Sequence, residues 1–227
     1  MTLPRNPQAV VFDMDGLLFD TEAIYREAMI ATALRLGFEM SDQVFLAMVG
    51  LPPEASRAHL RDHYGHDFDV ETFWIESAND FHKLSTGRQF LKAGVLELLA
   101  ALDRSDLRRA IATSSRHLDV QRHLTAHDLQ SRFHCVVAQG DYVLGKPNPD
   151  PFLKAAERLG VAPENCLALE DSFNGVRSAA AAGMMTVMVP DLILPSDEIR
   201  RLCLRVAGDL HEVRELLLTT TSPLDRT

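Results

Sequence analysis

Residues 9–20 read AVVFDMDGLLFD, and this stretch decides the fold. Its first four residues are apolar without interruption, which is typical of a strand buried on both faces of a parallel sheet. Asp13, Asp15 and Gly16 lie directly after that run. Two carboxylates one residue apart at the end of a buried strand repel each other and lose hydration. A hydrophobic core does not require them there, so their presence indicates a functional site.

The rest of the chain alternates short apolar runs with segments of helical periodicity. Four further runs have the character of the first: residues 108–113, 134–139, 166–170 and 185–190. One intervening helix is expected to end at Gly160, because Phe152, Ala156 and Leu159 recur at helical spacing before it. Strands that alternate with helices predict an α/β fold, here a Rossmann-like, doubly wound parallel sheet.

One long segment interrupts this alternation. After Thr21 the chain shows helical patterns and no convincing strand for about 70 residues. Ser41 is expected to cap a helix that ends at Gly50. Pro53 is expected to begin another helix, which ends at Gly65.

These patterns predict two parts. An all-helical subdomain at residues 20–90 is inserted after the first strand, and residues 1–19 and 91–227 form the Rossmann-like core. The last residues, 219–227, are expected to be disordered because they are polar and terminal.

Composition excludes several classes of protein. The chain has 227 residues, of which 46% are apolar, enough for a substantial core. It carries 32 Asp and Glu against 23 Lys and Arg, a formal charge of −9, which disfavours nucleic acid and anionic membranes as partners. Three scattered cysteines and no apolar span of about 18 residues favour a soluble cytoplasmic protein. A monomer is the simplest expectation.

Polar side chains follow the predicted strands at their carboxyl ends, where an open α/β sheet binds its ligands. Because parallel strands end at one edge of a sheet, we expect these side chains to share a single cleft. They are Asp13, Asp15, Thr113, Ser114, Ser115, Lys146, Glu170 and Asp171.

The chemistry of this set points to phosphoryl transfer. Four carboxylates in one cleft cannot all ionise without a cation, and oxygen ligands favour a hard ion such as Mg²⁺. The Thr113 hydroxyl and the Lys146 ammonium suit the oxygens of a phosphoryl group. The repulsion at the end of the first strand would then be offset by a metal ion.

Four segments resemble, in order, the motifs of the haloacid dehalogenase-like hydrolase superfamily. They are DMDGLLFDTE at 13–22, IATSS at 111–115, GKPNPD at 145–150 and LEDSFNGVRSAAAAG at 169–183. The helical insert after the first motif is similar to that of the phosphatases and of the β-phosphoglucomutase-like branch. The resemblance covers essentially the whole chain and implies an α/β core with a small helical cap.

The resemblance implies that the two aspartates carry the reaction. Asp13 would attack phosphorus and become an aspartyl phosphate, and Asp15 would protonate the leaving oxygen and later deprotonate water. Dehalogenases of this superfamily lack the second aspartate and use no metal, so Asp15 favours phosphoryl transfer.

The resemblance also implies binding roles. Thr113 would donate its hydroxyl to a phosphoryl oxygen, and Lys146 would neutralise charge on the nucleophile and the phosphate. Ser114 and Ser115 are expected at the N-cap of the following helix, where a backbone N–H could reach phosphate. The implied ligands of Mg²⁺ are Asp13, Asp15 (also through its carbonyl), Glu170 and Asp171.

The inserted segment offers hints about the substrate. The resemblance implies that the cap contacts the leaving group, and VGLPPEASR at 49–57 is expected to form its specificity loop, with a tight turn at Gly50. His59, Asp62, His63 and His66 form a polar cluster in this segment. His59 and His63 share one helical face and could bind zinc, although a solvated polar face explains the cluster as well.

The leading interpretation is a Mg²⁺-dependent phosphatase of a small phosphorylated metabolite, a sugar or polyol phosphate. The alternatives are a β-phosphoglucomutase-like sugar phosphomutase and a binding protein that has lost catalysis. The mutases that this chain resembles carry a gating histidine where Tyr25 stands and a phosphate-gripping arginine where Pro53 stands. Arg57 lies one helical turn further on and could substitute, so the sequence favours a hydrolase without excluding a mutase.

Overall fold

A computed structural model of the chain describes residues 3–49, 51, 53–88, 90–105 and 107–221. Its contacts divide the chain into two units, Met1–Phe19 with Leu91–Thr227 and Asp20–Phe90. We call the first the sheet unit and the second the helical unit. Within the described ranges, no helix is both long and apolar enough to cross a membrane.

Six strands form the single sheet of the sheet unit. They are β1 (Ala9–Phe12), β2 (Arg108–Arg116), β3 (Cys135–Gln139), β4 (Cys166–Glu170), β5 (Met185–Met188) and β6 (Arg205–Val206). All pairs are parallel, in the order β3-β2-β1-β4-β5-β6. Because they run in one direction, their carboxyl ends lie along one edge.

Helices fill the intervals of the sheet unit and make up the helical unit. In chain order they are α1 (Thr21–Arg35), α2 (Asp42–Leu46), α3 (Pro53–Tyr64), α4 (Val70–Ser85), α5 (Val95–Asp103), α6 (His117–Ala126), α7 (Asp150–Leu159), α8 (Phe173–Ala181), α9 (Asp197–Leu202) and α10 (Leu210–Thr221).

The strand β1 lies at the centre of the sheet because it is apolar throughout. Its residue Val11 pairs with Ala110 of β2 on one side and with Ala168 of β4 on the other. One face of this region packs on α7, whose Phe152 is fully buried with the small side chains of the strands. The central strand therefore holds the residues that follow it, including Asp13, in a fixed position.

The predicted α/β fold class is confirmed, and the differences from the predicted strands are local. The strand β2 extends three residues past Thr113, and β5 stops two residues before Pro190. The strand β6 was not predicted, because a strand of two residues is too short to show periodicity.

The helical unit packs mainly through α1 and α4. Fully or nearly buried side chains from both helices meet in its core, among them Met29 and Phe73. Ser41 does cap α2, since its hydroxyl accepts the N–H of Val44 at 3.4 Å. The expectation that this helix reaches Gly50 is wrong, because α2 ends at Leu46, and Gly50 itself lies outside the described residues.

Two other helix predictions can be compared with the structure. The helix α3 begins at Pro53 and ends just before Gly65, as predicted. The expected disorder from residue 219 onward is wrong for residues 219–221, which belong to α10, and residues 222–227 lie outside the described part of the chain.

Phe73 is the side chain whose truncation tests the core of the helical unit. Phe73→Ala should lower the free energy of unfolding by about 3–5 kcal/mol, because a fully buried ring would leave a cavity. Ile75→Ala, at a position 61% exposed, is the matched control and should change it by no more than about 0.5 kcal/mol. Urea unfolding followed by the fluorescence of Trp74, the chain's one tryptophan, measures both. Equal losses in the two variants would contradict this packing.

Candidate active site

Lys146 lies between two carboxylates at the carboxyl edge of the sheet. Its Nζ is 2.5 Å from Oδ1 of Asp13 and 2.5 Å from Oε1 of Glu170. All three side chains are more than nine-tenths buried. Buried charges of this kind require close partners, since the solvation they lose in the interior has to be replaced. The structure therefore brings together the ends of β1 and β4 and the loop after β3.

The end of β1 is fixed by its neighbour. The N–H of Asp13 donates to the carbonyl of Leu169 at 2.9 Å, which continues the ladder one residue past the strand. Three residues later the chain turns, and the N–H of Gly16 donates to the carbonyl of Phe19 at 2.8 Å. Gly16 has φ +83°, and a Cβ there would stand 2.2 Å from Oδ2 of Asp171. Glycine is needed at this point both for the turn and for the approach of Asp171.

Asp15 points to a different partner from Asp13. Its Oδ2 accepts a hydrogen bond from the Ser115 hydroxyl at 2.6 Å. Ser115 in turn donates its backbone N–H to Oγ1 of Thr113 at 3.0 Å. Thr113 is buried, whereas Ser114 is exposed. The Thr113 hydroxyl, which accepts from Ser115, still has its own proton to donate.

The expected N-cap role of Ser114 and Ser115 is wrong. The register of β2 with β3 shifts between Ala112 and Arg116, and the strand continues through both serines. The helix α6 begins only at His117, without a side-chain cap. Sequence reasoning missed the contact of Ser115 with Asp15, because a serine pair at a strand end does not show which hydroxyl faces the site.

Glu170 is enclosed by donors from its own loop. Its Oε2 accepts hydrogen bonds from the N–H groups of Asp171 and Ser172 and from the Ser172 hydroxyl, at 3.0–3.1 Å. A Cβ on Gly175 of α8 would stand 1.8 Å from the Glu170 carboxyl group. Both carboxylate oxygens are thus engaged by protein donors, and the site has no space for a larger residue at 175.

Three carboxylates could share an ion. Asp13, Glu170 and Asp171 each offer an oxygen, and these oxygens lie within 4.8 Å of one another. Within the described residues no other group of three His, Cys, Asp or Glu residues is this close. The carboxylate of Asp15 is outside the group, and so are the cap histidines His59, His63 and His66. An all-oxygen set of this kind fits a hard divalent cation.

A further acidic residue, Asp191, was missed from the sequence. It follows β5, and its Oδ1 pairs with Nζ of Lys92 at 2.6 Å. Its Oδ2 is buried without a hydrogen-bond partner and lies 3.4 Å from where a Cβ on Gly16 would stand. The signal was available, since Asp191 is the first polar residue after the predicted strand at 185–190.

The electrostatics of the site favour a bound cation. Burial raises the pKa of Asp13 to about 8, Lys146 opposes this shift, and Glu170 and Asp15 add to it. Burial alone would lower the pKa of Lys146, but Asp13 and Glu170 outweigh it and raise that pKa above its ordinary value. One ammonium therefore lies beside more negative charge than it can neutralise. A bound cation would lower the pKa of Asp13 and return it to its ionised form.

Comparison with known proteins agrees with the motifs. A family model described as "Haloacid dehalogenase-like hydrolase" matches residues 10–189. A Drosophila melanogaster protein named "Probable pseudouridine-5'-phosphatase" is 37% identical over 191 residues, 80% of each chain. Hexitol phosphatase B of Escherichia coli is 31% identical over 193 residues, 84% of this chain and 86% of its own. A crystal structure of a HAD hydrolase, family IA, variant 3, from Entamoeba histolytica has a TM-score of 0.78 at 25% identity. The match covers 92% of this chain and 97% of that one.

Gly175→Ala tests the enclosure of Glu170. Helix propensity alone would make this change stabilising by about 1 kcal/mol. We expect instead a loss of about 1–3 kcal/mol, because the added methyl group must displace a buried carboxyl group. Gly145→Ala is the control, since a Cβ there would meet only Tyr142, at 3.6 Å. Urea unfolding gives both values, and a more stable Gly175→Ala variant would contradict the packing described.

The raised pKa of Asp13 predicts a pH-dependent stability in EDTA. Its ordinary pKa is 3.8 and its folded pKa is about 8, so between these values the folded protein holds a proton that the unfolded chain has released. The contribution of Asp13 to stability therefore falls as the pH rises through this window. Asp13→Asn should gain stability relative to wild type as the pH rises toward about 8. Thermal unfolding at several pH values measures the difference; a gain independent of pH would be the contrary result.

Proposed function

Because this chain belongs to the haloacid dehalogenase-like hydrolase family, we propose that it is a Mg²⁺-dependent phosphatase of a small phosphorylated sugar or polyol. The observation that carries the proposal is the buried contact of Lys146 with Asp13. Asp171 belongs to the same acidic cluster, and Asp15 is held apart from it by the Ser115 hydroxyl. This arrangement supplies a nucleophile, a neutralising cation and an acid in one place. The relatives named above include a hexitol phosphatase and a probable pseudouridine-5'-phosphatase.

The metal would be held mainly by Asp13 and Asp171, with the backbone carbonyl of Asp15. Glu170 belongs to the same acidic cluster, but its two oxygens already accept hydrogen bonds from protein groups. We therefore assign it chiefly to the orientation of Lys146. When bound, Mg²⁺ would offset negative charge on the phosphoryl oxygens and on the carboxylates.

The residues of the chain supply the two chemical steps. A carboxylate oxygen of Asp13 attacks phosphorus, the ester P–O bond breaks, and Asp15 gives its proton to the leaving oxygen. Asp15 then takes a proton from water, whose oxygen attacks the phosphorus of the aspartyl phosphate. The P–O bond to Asp13 breaks, which releases inorganic phosphate and restores the Asp13 carboxylate. The Ser115 hydroxyl orients Asp15 throughout, and Thr113 and Lys146 bind phosphoryl oxygens.

The helical unit favours a hydrolase over a mutase. Tyr25 stacks on Phe81, with ring centroids 4.0 Å apart, and a phenol is a poorer general base at neutral pH than a histidine. Arg57, which could have gripped a second phosphate, pairs with Glu54 at 2.9 Å and lies 5.0 Å from the Trp74 ring centroid. The positive charge of Arg57 is already paired with Glu54, so this residue would attract a bisphosphate less strongly.

Asp13→Asn tests the nucleophile. The variant should lose at least about 99.9% of phosphate release from p-nitrophenyl phosphate, because an amide is a poor nucleophile. It should remain folded, since the change is nearly isosteric. Asp62→Asn should keep the wild-type rate. EDTA should silence the wild type reversibly, and Ca²⁺ should not replace Mg²⁺ because it takes more ligands at longer distances. Turnover by a folded Asp13→Asn variant, or in EDTA, would contradict the mechanism.

Product analysis separates the hydrolase from the mutase. With β-glucose 1-phosphate and a trace of the 1,6-bisphosphate, a hydrolase releases inorganic phosphate or does not react. A mutase forms glucose 6-phosphate catalytically without releasing phosphate. We expect no glucose 6-phosphate, because Tyr25 and the paired Arg57 provide neither a gating base nor a free cation. Its catalytic appearance would assign this chain to the mutases.

A further inference from the structure

Asp191 is a buried carboxylate of which one oxygen is engaged and the other is not. It follows β5, and its side chain is only 8% exposed. Its Oδ1 pairs with Nζ of Lys92 at 2.6 Å, whereas its Oδ2 is buried and has no hydrogen-bond partner among the described residues. A buried acceptor without a donor is unfavourable for the folded protein, and more so when it carries charge. Such an oxygen indicates a donor from outside the protein chain.

The unengaged oxygen of Asp191 lies close to the carboxylate of Asp171. A Cβ added to Gly16 would stand 3.4 Å from Oδ2 of Asp191 and 2.2 Å from Oδ2 of Asp171. The two oxygens are therefore no further apart than the sum of these two distances. One water molecule can bridge a separation of that size by donating a hydrogen bond to each oxygen.

The Lys92 side chain determines which oxygen of Asp191 is left. Nζ of Lys92 takes Oδ1, so Oδ2 is the oxygen near Gly16. The backbone N–H of Lys92 donates to the carbonyl of Leu18 at 3.0 Å, which anchors the lysine to the turn that follows β1. The end of β5 is thus tied, through Lys92, to the same turn that contains Gly16.

Asp191 is not part of the group of three carboxylates described above. The oxygens of Asp13, Glu170 and Asp171 lie within 4.8 Å of one another, and no oxygen of Asp191 meets that condition with them. This separation disfavours Asp191 as a direct ligand of an ion held by the group. Mg²⁺ gives up its waters reluctantly and keeps several of them in protein sites. A carboxylate beyond the direct ligands can accept a hydrogen bond from such a water.

We propose that Asp191 is a positioning residue of the metal site, and that its Oδ2 accepts a hydrogen bond from a water molecule of the ion's hydration shell beside Asp171. The inference rests on the proposed function for the presence of Mg²⁺. It goes further because it assigns a role to a carboxylate at the end of β5, outside the four sequence motifs.

An ion pair with Lys92 alone explains Asp191 less well. Such a pair accounts for Oδ1 but leaves Oδ2 buried without a donor. It also leaves the approach of two carboxylates, Asp191 and Asp171, without compensation, since like charges at short range repel each other. A water that donates to both oxygens and is itself polarised by a cation offsets both effects.

Asp191→Asn tests the role through metal binding, without turnover. Mg²⁺ raises the Tm of a folded protein that binds it, and the concentration needed for a given rise follows its Kd. Starting from the Tm of each variant in EDTA, Asp191→Asn should need about tenfold more MgCl₂ than wild type, because residues that hold a metal's ligands contribute to affinity on this scale. Glu198→Gln, at an exposed carboxylate of α9, is the control and should match wild type.

Asp191→Glu separates position from charge. This variant keeps the negative charge but moves the carboxylate by one methylene group, so we expect it to bind Mg²⁺ more weakly than wild type as well. Wild-type affinity in Asp191→Glu would assign the effect to charge alone and overturn the positioning role.

The rate of phosphate release gives a second measurement. At low MgCl₂ the rate of Asp191→Asn with p-nitrophenyl phosphate should fall below that of wild type, and at high MgCl₂ it should recover most of the difference. A purely structural role predicts a loss that MgCl₂ does not restore, and that result would contradict the inference.

The outcomes distinguish this inference from the proposed function. A wild-type Tm that does not respond to MgCl₂ would refute the Mg²⁺-dependent phosphatase and, with it, the role of Asp191. A wild-type response that Asp191→Asn shares at the same concentrations would refute the role of Asp191 alone and leave the phosphatase intact.

Discussion

The ammonium of Lys146, held between two buried carboxylates, is the interaction on which the site depends. Removing charged groups from water is unfavourable, and the loss is offset only when their partners are close and their other hydrogen-bonding atoms are satisfied. The loop after β4 meets that condition by donating three hydrogen bonds to Glu170. The strand β1 contributes by holding the backbone of Asp13 in place through its hydrogen bond to Leu169. The parallel sheet is what brings these distant segments to one edge.

The two units carry different kinds of chemistry. The sheet unit contains charged groups whose positions are set by strands and by two glycines with no space for a side chain. The helical unit has an apolar cavity lined by Met and aromatic side chains, with few polar atoms. A phosphoryl group is common to every phosphate ester, whereas the attached alcohol differs. The charged groups and the apolar lining thus lie in separate parts of the chain.

The sequence predicted the sheet well because buried parallel strands leave uninterrupted apolar runs. It could not predict β6, which is too short to show a pattern, or the end of α2, which depends on tertiary packing. It identified Lys146 and Asp13, but nothing in a separation of 133 residues indicates that their side chains meet. The hydrogen-bond partners of Glu170 and the contact of Ser115 with Asp15 could not be predicted either, because they depend on how the loops fold. The local sequence pattern predicts helices and strands, whereas hydrogen bonds between side chains of distant segments depend on the folded geometry.

The hydrogen bond from Asp13 to Leu169 has a consequence for motion during a reaction cycle. The proposed nucleophile is part of the central ladder of the sheet, where backbone fluctuations are smallest. Asp15, only two residues away, has already left that ladder and lies in a turn closed by Gly16 and Phe19. The chain thus passes from a strand paired on both sides into a tight turn within two residues. Attack and proton transfer can then differ in their tolerance for movement, although both groups are encoded in a single short stretch.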